Sequence, residues 1–493
     1  MVFSSVIFVL FFLPVVLLCH SLLYLHSQNK QNKESFSSFL NLFLLFSSIF
    51  FYAWGEPQFF ILLLLCSYAN FHTALLIQNQ RKNAKVFLTI GLVINLGLLA
   101  YFKYAMLFIS PEIISVLNKF LPQSLKLKKT FSIALPLGIS FYTFQAMSYL
   151  IDVYRKKVSA SQKYIDFACY LHMFPQLVAG PIVRYAQIVK ELKKRALNFD
   201  RFIDGSSRFI MGLAKKILIA DTLGKVADAA FSVPNGELTA YGAWVGIICY
   251  TFQIYYDFSG YSDMAIGMGL MLGFSFPENF NYPYIADSIQ NFWQRWHMTL
   301  SSWFKDYLYI PLGGNRKSNS RTYGNLLIVF LLCGFWHGAS WTFMVWGAYY
   351  GLFLILERRF PAVIKKTPRI VRHIYVLAVV VFGWVLFRSD SFAHALYYLK
   401  SMFGVYKGGL EMNKVWLVWY GHDVTLALIF AVLFSYPVFH PIQELVLDKN
   451  KTIASGVYVS MNFIKFSFLL LLLLICMMPL VGATYNAFIY FRF

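Results

Sequence analysis

Charged side chains are scarce in this sequence: they make up 13% of its 493 residues, against about a quarter in a soluble domain. With 58% hydrophobic residues, a soluble globular chain is excluded. Acids are scarcer still, 22 against 43 Lys and Arg. The resulting charge of +21 is spread over short loops rather than gathered into the patch or stripe that nucleic acid selects. Nucleic acid is therefore no expected partner. The six cysteines, Cys19, Cys66, Cys169, Cys249, Cys333 and Cys476, form neither CxxC pairs nor metal-ligand spacing, so they read as packing residues and no metal is expected. A Walker A loop, a GxSxG elbow and an HExxH helix are all missing, which takes support from ATP hydrolysis, serine-hydrolase and zincin chemistry. Strand-like alternation, which a membrane barrel needs, is missing too.

What is present is a series of apolar stretches long enough to cross a bilayer as helices. They lie near 2–25, 36–54, 57–78, 87–110, 371–389, 417–438 and 457–484. The first, "VFSSVIFVLFFLPVVLLCHSLLYL", exceeds a signal-peptide core and lacks a small-residue cleavage site, so it reads as a retained span. Lys30 and Lys33, then Arg81, Lys82 and Lys85, sit in two loops separated by a turn with only Glu56. The positive-inside rule makes both basic loops cytoplasmic and the N-terminus extracytoplasmic. Lys449 and Lys451 precede the last span, which puts the C-terminus outside as well.

From about 131 to 360 the apolar segments are broken by Pro and Gly, as in "ALPLGISFYTFQAMSYL" and "DYLYIPLGGNRKS". Irregular backbone survives at membrane depth only where protein or a water-filled cavity covers it, so this region is expected to enclose a cavity with re-entrant segments. No inverted repeat of the transporter kind is visible.

Two stretches carry candidate chemistry. In Asp287–Ile310, Asp287 and Gln290 have capping-box spacing, which predicts a helix from that point. Arg295, Thr299, Ser302 and Asp306 then share one face; Trp293, Trp296, His297, Leu300, Phe304 and Tyr307 share the other. The second stretch, Asn325–Glu357, would be a helix of about 50 Å, too long for one span. It should break at "GFWHGAS", where Gly334 and Gly338 bracket His337. Imidazole exchanges a proton near neutral pH, and ionisable residues inside a membrane are functional candidates. The plainer reading of either histidine is a core residue bonded to a carbonyl, and His172 is read that way. Asp257 and Asp263 are intramembrane acids that orient a histidine or hydroxyl, or are satisfied by neighbouring tyrosines. Arg184 is a holder for an anionic donor group or a loop anchor. GxxxG spacing at Gly269/Gly273 and Gly347/Gly351 predicts close helix approach.

In order along the chain, "FPQLVAGPIVRY", "YYDFSGYSDMAIGMGLMLGF", "NFNYPY", "FWQRWHMTLSSWFKDYLYIPLGGNR" and "GFWHGASWTFMVWGAYYG" closely resemble the membrane-bound O-acyltransferase (MBOAT) family. Within it they resemble the bacterial alginate and peptidoglycan O-acetyltransferases, and their relative in teichoic acid D-alanylation. The resemblance covers roughly residues 40 to 440. It implies an all-α polytopic fold, a ring of about 11–12 transmembrane helices plus re-entrant helices around a central tunnel. It divides the chain into N-terminal helices at 1–130, a catalytic core at 131–440 and an appended span at 441–493.

By the same resemblance His337 matches the family's catalytic histidine and His297 its second one. His337 would be the base for an acceptor hydroxyl; His297 would orient the acceptor or polarise a thioester carbonyl. Trp336 and Trp293 join Arg184, Asp257 and Asp263 as expected substrate contacts. The implied donor is cytoplasmic acetyl-CoA as cosubstrate, with no bound cofactor. The acceptor would be a cell-envelope polysaccharide, peptidoglycan ahead of alginate, reached through a periplasmic SGNH-type transferase, and the location a bacterial cytoplasmic (inner) membrane. D-alanyl transfer to teichoic acid, a transporter of an acyl donor or glycolipid without chemistry, and a structural scaffold remain alternatives.

The chain closes on "NAFIYFRF". One reading is an interfacial aromatic belt. The other is a resemblance to the C-terminal motif of the small single-span subunit of teichoic acid D-alanylation. A phenol's pKa of about 10 makes acyl transfer from a thioester to Tyr490, and onward to an alkyl hydroxyl, energetically accessible.

Overall fold

Backbone that cannot hydrogen-bond to lipid must satisfy itself internally, and this chain does so with helices. The computed structural model describes residues 2–28, 33–104, 118–119, 121–122, 134–406, 421–438 and 455–482, and no strand occurs among them. The opening bundle is α1 (Leu13–Gln28), entered through a π-helical turn at Phe8–Phe12, then α2 (Lys33–Gly55), α3 (Phe60–Asn79) and α4 (Ala84–Leu99). A second π-helical turn, Ala100–Tyr104, extends α4.

Apart from the 32-residue α11, the middle of the chain is built of shorter, more broken helices, as its Pro and Gly content predicts. It comprises α5 (Ile139–Tyr154), α6 (Tyr164–His172), α7 (Phe174–Leu177), α8 (Tyr185–Lys193), α9 (Phe199–Ala214), α10 (Asp221–Phe231), α11 (Ala240–Met271), α12 (Ile289–Trp293) and α13 (Met298–Phe304). π-Helical turns follow α9 at Lys215–Ala220 and α13 at Lys305–Tyr309. Then come α14 (Asn319–His337), α15 (Trp341–Arg359), α16 (Pro361–Lys366), α17 (Arg369–Arg388), α18 (Phe392–Met402), α19 (His422–Phe434) and α20 (Ser455–Gly482).

Among the described residues, six stretches are helical and apolar over enough length to cross a membrane: Phe8–His26, Ser37–Gly55, Phe60–Asn79, Arg81–Tyr104, Arg369–Arg388 and Phe463–Gly482. Large apolar side chains such as Leu18, Leu65, Val93 and Phe466 are exposed on them, as a lipid-facing surface requires. The central helices are a different material. α11 is buried along nearly its whole length, against α9, α10, α17 and α18, and carries tyrosines, glycines and acids that lipid would not tolerate.

Glycines set the α9/α11 contact. Gly205 and Gly212 face Gly267 and Gly260: a side chain on Gly205 would meet the Gly267 carbonyl oxygen at 2.6 Å, and one on Gly212 the Gly260 carbonyl at 2.6 Å. Of the two GxxxG pairs, Gly347/Gly351 does pack α15 on α14, with Gly347 against the Phe330 backbone. The other is a correction: Gly269 is covered by the Phe276 ring, and Gly273 turns the chain out of α11 at φ 86°. The cysteines are free, and five of the six are buried.

Gly212→Leu should therefore force α9 and α11 apart, at a cost of about 1–3 kcal/mol from overpacking. Thermal unfolding in detergent checks this, with Gly97→Leu, where a side chain meets open space, expected to match the parent.

Candidate functional site

The 33-residue apolar stretch breaks where its length requires. α14 stops at His337, Gly338 is extended, and Ser340 caps α15 by accepting from the Thr342 N–H. A side chain on Gly334 would run into the Phe343 carbonyl, and one on Gly338 would strike the Phe343 ring at 2.6 Å. Only glycine lets α15 fold back so tightly on α14. His337 is buried in an aromatic cage: Trp336 at 4.9 Å between ring centroids, Phe387 at 5.1 Å, Trp346 at 5.2 Å and Phe343 at 6.3 Å.

A helix ending inside the protein leaves carbonyls in need of donors. The π-helical turn after α4 supplies them. Tyr104 donates to the Phe335 carbonyl at 2.7 Å while its ring stacks on Phe335 at 3.9 Å. Lys103 donates to the Trp336 carbonyl and to Ser140 Oγ (3.2 Å), and its Nζ lies 5.4 Å from the Trp336 ring centroid. Sequence reasoning missed Lys103; its one signal was a lysine inside an apolar span.

The helix expected from Asp287 begins at Ile289 and is only 5 residues long. Its cap is Ser288, which accepts from the Asn291 N–H at 3.0 Å, and the Ile289 and Gln290 N–H groups go to Glu357 of α15 at 2.6 and 3.1 Å. α12 ends at Trp293, and His297 sits in left-handed backbone (φ 43°, ψ 54°) before α13 begins. The continuous helical faces assigned from periodicity are thus overturned. Left-handed backbone costs a non-glycine residue roughly 1–2 kcal/mol, and Asn279 offsets it. The Asn279 carbonyl accepts from the Met298 N–H at 2.9 Å, and Asn279 Oδ1 accepts from Thr299 N (3.3 Å) and Thr299 Oγ1 (2.9 Å).

The same Oδ1 lies 3.0 Å from His297 Nδ1. A backbone N–H only donates, so the Asn279 atom facing Thr299 is the oxygen, and His297 Nδ1 carries its hydrogen toward it. Asn279 Nδ2 donates to Ser262 Oγ (3.0 Å), and Thr299 Oγ1 accepts from the Ile182 N–H (3.0 Å). Residues from four of the quoted motifs meet in this one hydrogen-bonded chain.

Trp336 joins the two histidines: its ring is 6.3 Å from that of His297 and 4.9 Å from that of His337. Trp293 stands one ring further on, 5.7 Å from Trp346 and 4.9 Å from Tyr350. His297 Nε2 and the indole N–H groups of Trp293, Trp336 and Trp346 are buried and have no hydrogen-bond partner among the described residues. Buried polar atoms are normally paired, so four open ones around two imidazoles suit a polar guest.

The other expected contacts lie elsewhere. Asp257 pairs with Lys216 at 2.8 Å, which also holds Asp221 at 2.6 Å. Asp263 pairs with Arg208 (2.9 Å) and Lys215 (2.6 Å). Basic side chains of α9 and its π-turn hold both acids. Arg184 opens α8, pairs with Asp306 at 2.6 Å and lies over Tyr307, which Arg155 flanks as well. His172 faces the Ala168 and Leu63 carbonyls, as a structural histidine would. Tyr490 lies outside the described residues.

Lys216→Met would remove the cation shared by the buried Asp257 and the half-buried Asp221, and loss of one partner of a buried ion pair costs about 3–5 kcal/mol. Thermal unfolding should show that loss, and the Lys216→Met/Asp257→Asn double variant should recover part of it.

Comparisons with known proteins bear on this geometry. The family model for the membrane-bound O-acyltransferase family (MBOAT) matches residues 46–398, which include both histidines. The chain is 42% identical over 441 residues to a protein named "Probable alginate O-acetylase AlgI" of Pseudomonas aeruginosa, covering 88% of this chain and 81% of that one. It is 33% identical to a peptidoglycan O-acetyltransferase of Helicobacter pylori, over 100% of this chain and 98% of that one. A teichoic acid D-alanyltransferase of Bacillus subtilis is 26% identical over 281 residues, 52% of this chain and 70% of its own. The chain belongs to the membrane-bound O-acyltransferase family and is a multi-pass membrane acyltransferase.

Proposed function

We propose that this acyltransferase moves acetyl from cytoplasmic acetyl-CoA across the membrane for O-acetylation of a cell-envelope polysaccharide, with peptidoglycan ahead of an alginate-like polymer. The observation that carries this reading is the juxtaposition of His337 and His297 on either side of Trp336, with unspent indole N–H donors around them. The end-to-end likeness to a peptidoglycan O-acetyltransferase supports the choice of polymer.

His337 takes the proton of an acceptor hydroxyl; the oxygen attacks the thioester carbonyl carbon, and a C–O bond forms. Collapse breaks the C–S bond, and the departing thiolate takes the proton from His337. A thiol's pKa of about 8.5 makes it a good leaving group, so base, orientation and exclusion of water are the main requirements. His297 orients the acceptor. Trp336 and Trp293 offer N–H donors to polar atoms of the substrates. Arg184, paired with Asp306, is the cation for the donor's phosphates.

The first acceptor is Tyr490, carried on the appended span and presented outside to a periplasmic SGNH-type transferase. This goes with a cytoplasmic membrane location, both termini outside, and a core at 131–440 between N-terminal helices and the C-terminal span. A second reading, D-alanyl transfer, draws on the likeness to the teichoic acid enzyme.

Membranes given labelled acetyl-CoA should acetylate polymer, and His337→Ala should lower the rate by about 100-fold or more, the usual scale for general-base loss. Wild-type transfer by His337→Ala contradicts the reading; transfer only from a D-alanyl carrier protein selects the second one. Tyr490→Phe keeps the aromatic ring and should end delivery to polymer, whereas unchanged delivery makes the motif an interfacial belt.

A further inference from the structure

Lys103 is a buried lysine with no carboxylate paired to it among the described residues. It is 8% exposed, at the end of an apolar span. Its contacts among the described residues are neutral oxygens, Ser140 Oγ and the Trp336 carbonyl, and no carboxylate pairs with it. Lys216, the other buried lysine among the described residues, has Asp257 and Asp221 beside it, and the buried Arg195 spreads its guanidinium over His20, Asn41 and the Phe274 ring. Burying a charge costs heavily unless it is paired. Among the described residues Lys216 is neutralised by two acids, whereas Lys103 meets only neutral oxygens.

Its position says where a negative charge would meet it. Lys103 holds the carbonyl of the residue before His337, lies over the ring of Trp336, and stands within electrostatic reach of His337. An ammonium has three donors, of which the two neutral oxygens use two. Acyl transfer from a thioester is neutral at its start and end and anionic in between. When the acceptor oxygen adds to the carbonyl carbon, the carbonyl electron pair moves onto oxygen; when the C–S bond breaks, it returns and the charge leaves on sulfur.

We propose that Lys103 is a catalytic residue of this acyltransferase, its ammonium stabilising the oxyanion formed on the thioester carbonyl beside His337. The proposal rests on the acetyl-transfer reading above. It assigns the electrophilic role to a residue from α4, leaving His337 to handle the proton and His297 the acceptor. A preorganised donor in a water-poor site stabilises charge that develops only during reaction, and removing one such donor typically lowers turnover by about 100- to 1000-fold.

Lys103 also caps α14, so the test must separate charge from capping. Lys103→Gln keeps a donor for the Trp336 carbonyl without the charge, and Lys103→Arg keeps a charge. Tyr104→Phe removes the neighbouring cap at the Phe335 carbonyl and leaves Lys103 intact. Purified variants are compared for thermal unfolding in detergent and for kcat and KM with labelled acetyl-CoA. Lys103→Gln is expected to fold, to lose about 100-fold or more in kcat, and to change KM less than three-fold. Lys103→Arg should recover part of that loss, and Tyr104→Phe, which loses a cap without a charge, should lose about ten-fold less kcat than Lys103→Gln.

A folded Lys103→Gln with wild-type kcat overturns the proposal, as does a Lys103→Gln that fails to fold, since the charge would then be a structural cap. Wild type and His337→Ala are run in parallel. If wild type transfers no acetyl, or His337→Ala transfers it normally, the acetyl-transfer reading fails. If those two behave as expected and Lys103→Gln matches wild type, the Lys103 proposal alone fails.

Discussion

A helix that stops inside a membrane protein must find donors for its last carbonyls, and everything at this site depends on how α14 does so. Its final turn is closed by Tyr104 and Lys103 from the π-helical turn after α4, which reach the Phe335 and Trp336 carbonyls. That closure lets α14 end at His337 and lets Gly338 redirect the chain into α15. Without it, the imidazole would sit on a frayed end with unpaired backbone in an apolar surrounding, a state that costs several kcal/mol.

The second histidine is held by a different device serving the same purpose. His297 occupies strained backbone, and the strain is sustained by Asn279, whose side chain and carbonyl bind Thr299, Met298 and the imidazole itself. Strained residues persist where the surroundings over-determine them, commonly at functional sites. Trp336 then brings the two devices into one interior. The acids on α11 play a separate part: with the glycine contacts to α9 they lock the central helix pair, which gives the site a rigid wall.

Much of this was legible in the sequence. Apolar length located the opening bundle and the spans near 371–389 and 457–484, though only the shorter helix His422–Phe434 is described within 417–438; the same measure, applied to Asn325–Glu357, located the break at His337. The motifs carried the family, and membership in it removes the transporter and scaffold readings. What stayed hidden depends on partners far apart in the chain. Helical periodicity could not show that Glu357 would take the N–H groups of α12, nor that Asn279 would turn the backbone at His297. The GxxxG pair at Gly269/Gly273 marks no helix crossing, while the glycines that do pack α9 on α11 were not singled out, because spacing alone does not distinguish a crossing point from a chain turn. Lys103 looked like a span-end lysine because its partner lies 233 residues away.

The proposed reaction passes an acetyl group through this interior from a thioester on one side of the membrane to an acceptor on the other. Proteoliposomes of purified chain, with labelled acetyl-CoA on the side of the Arg81–Lys85 loop and a soluble SGNH-type transferase plus glycan on the opposite side, test it directly. Label should appear in the glycan with wild type and not with His337→Ala. Equal labelling by both, or labelling only when donor and glycan share a side, would contradict the account.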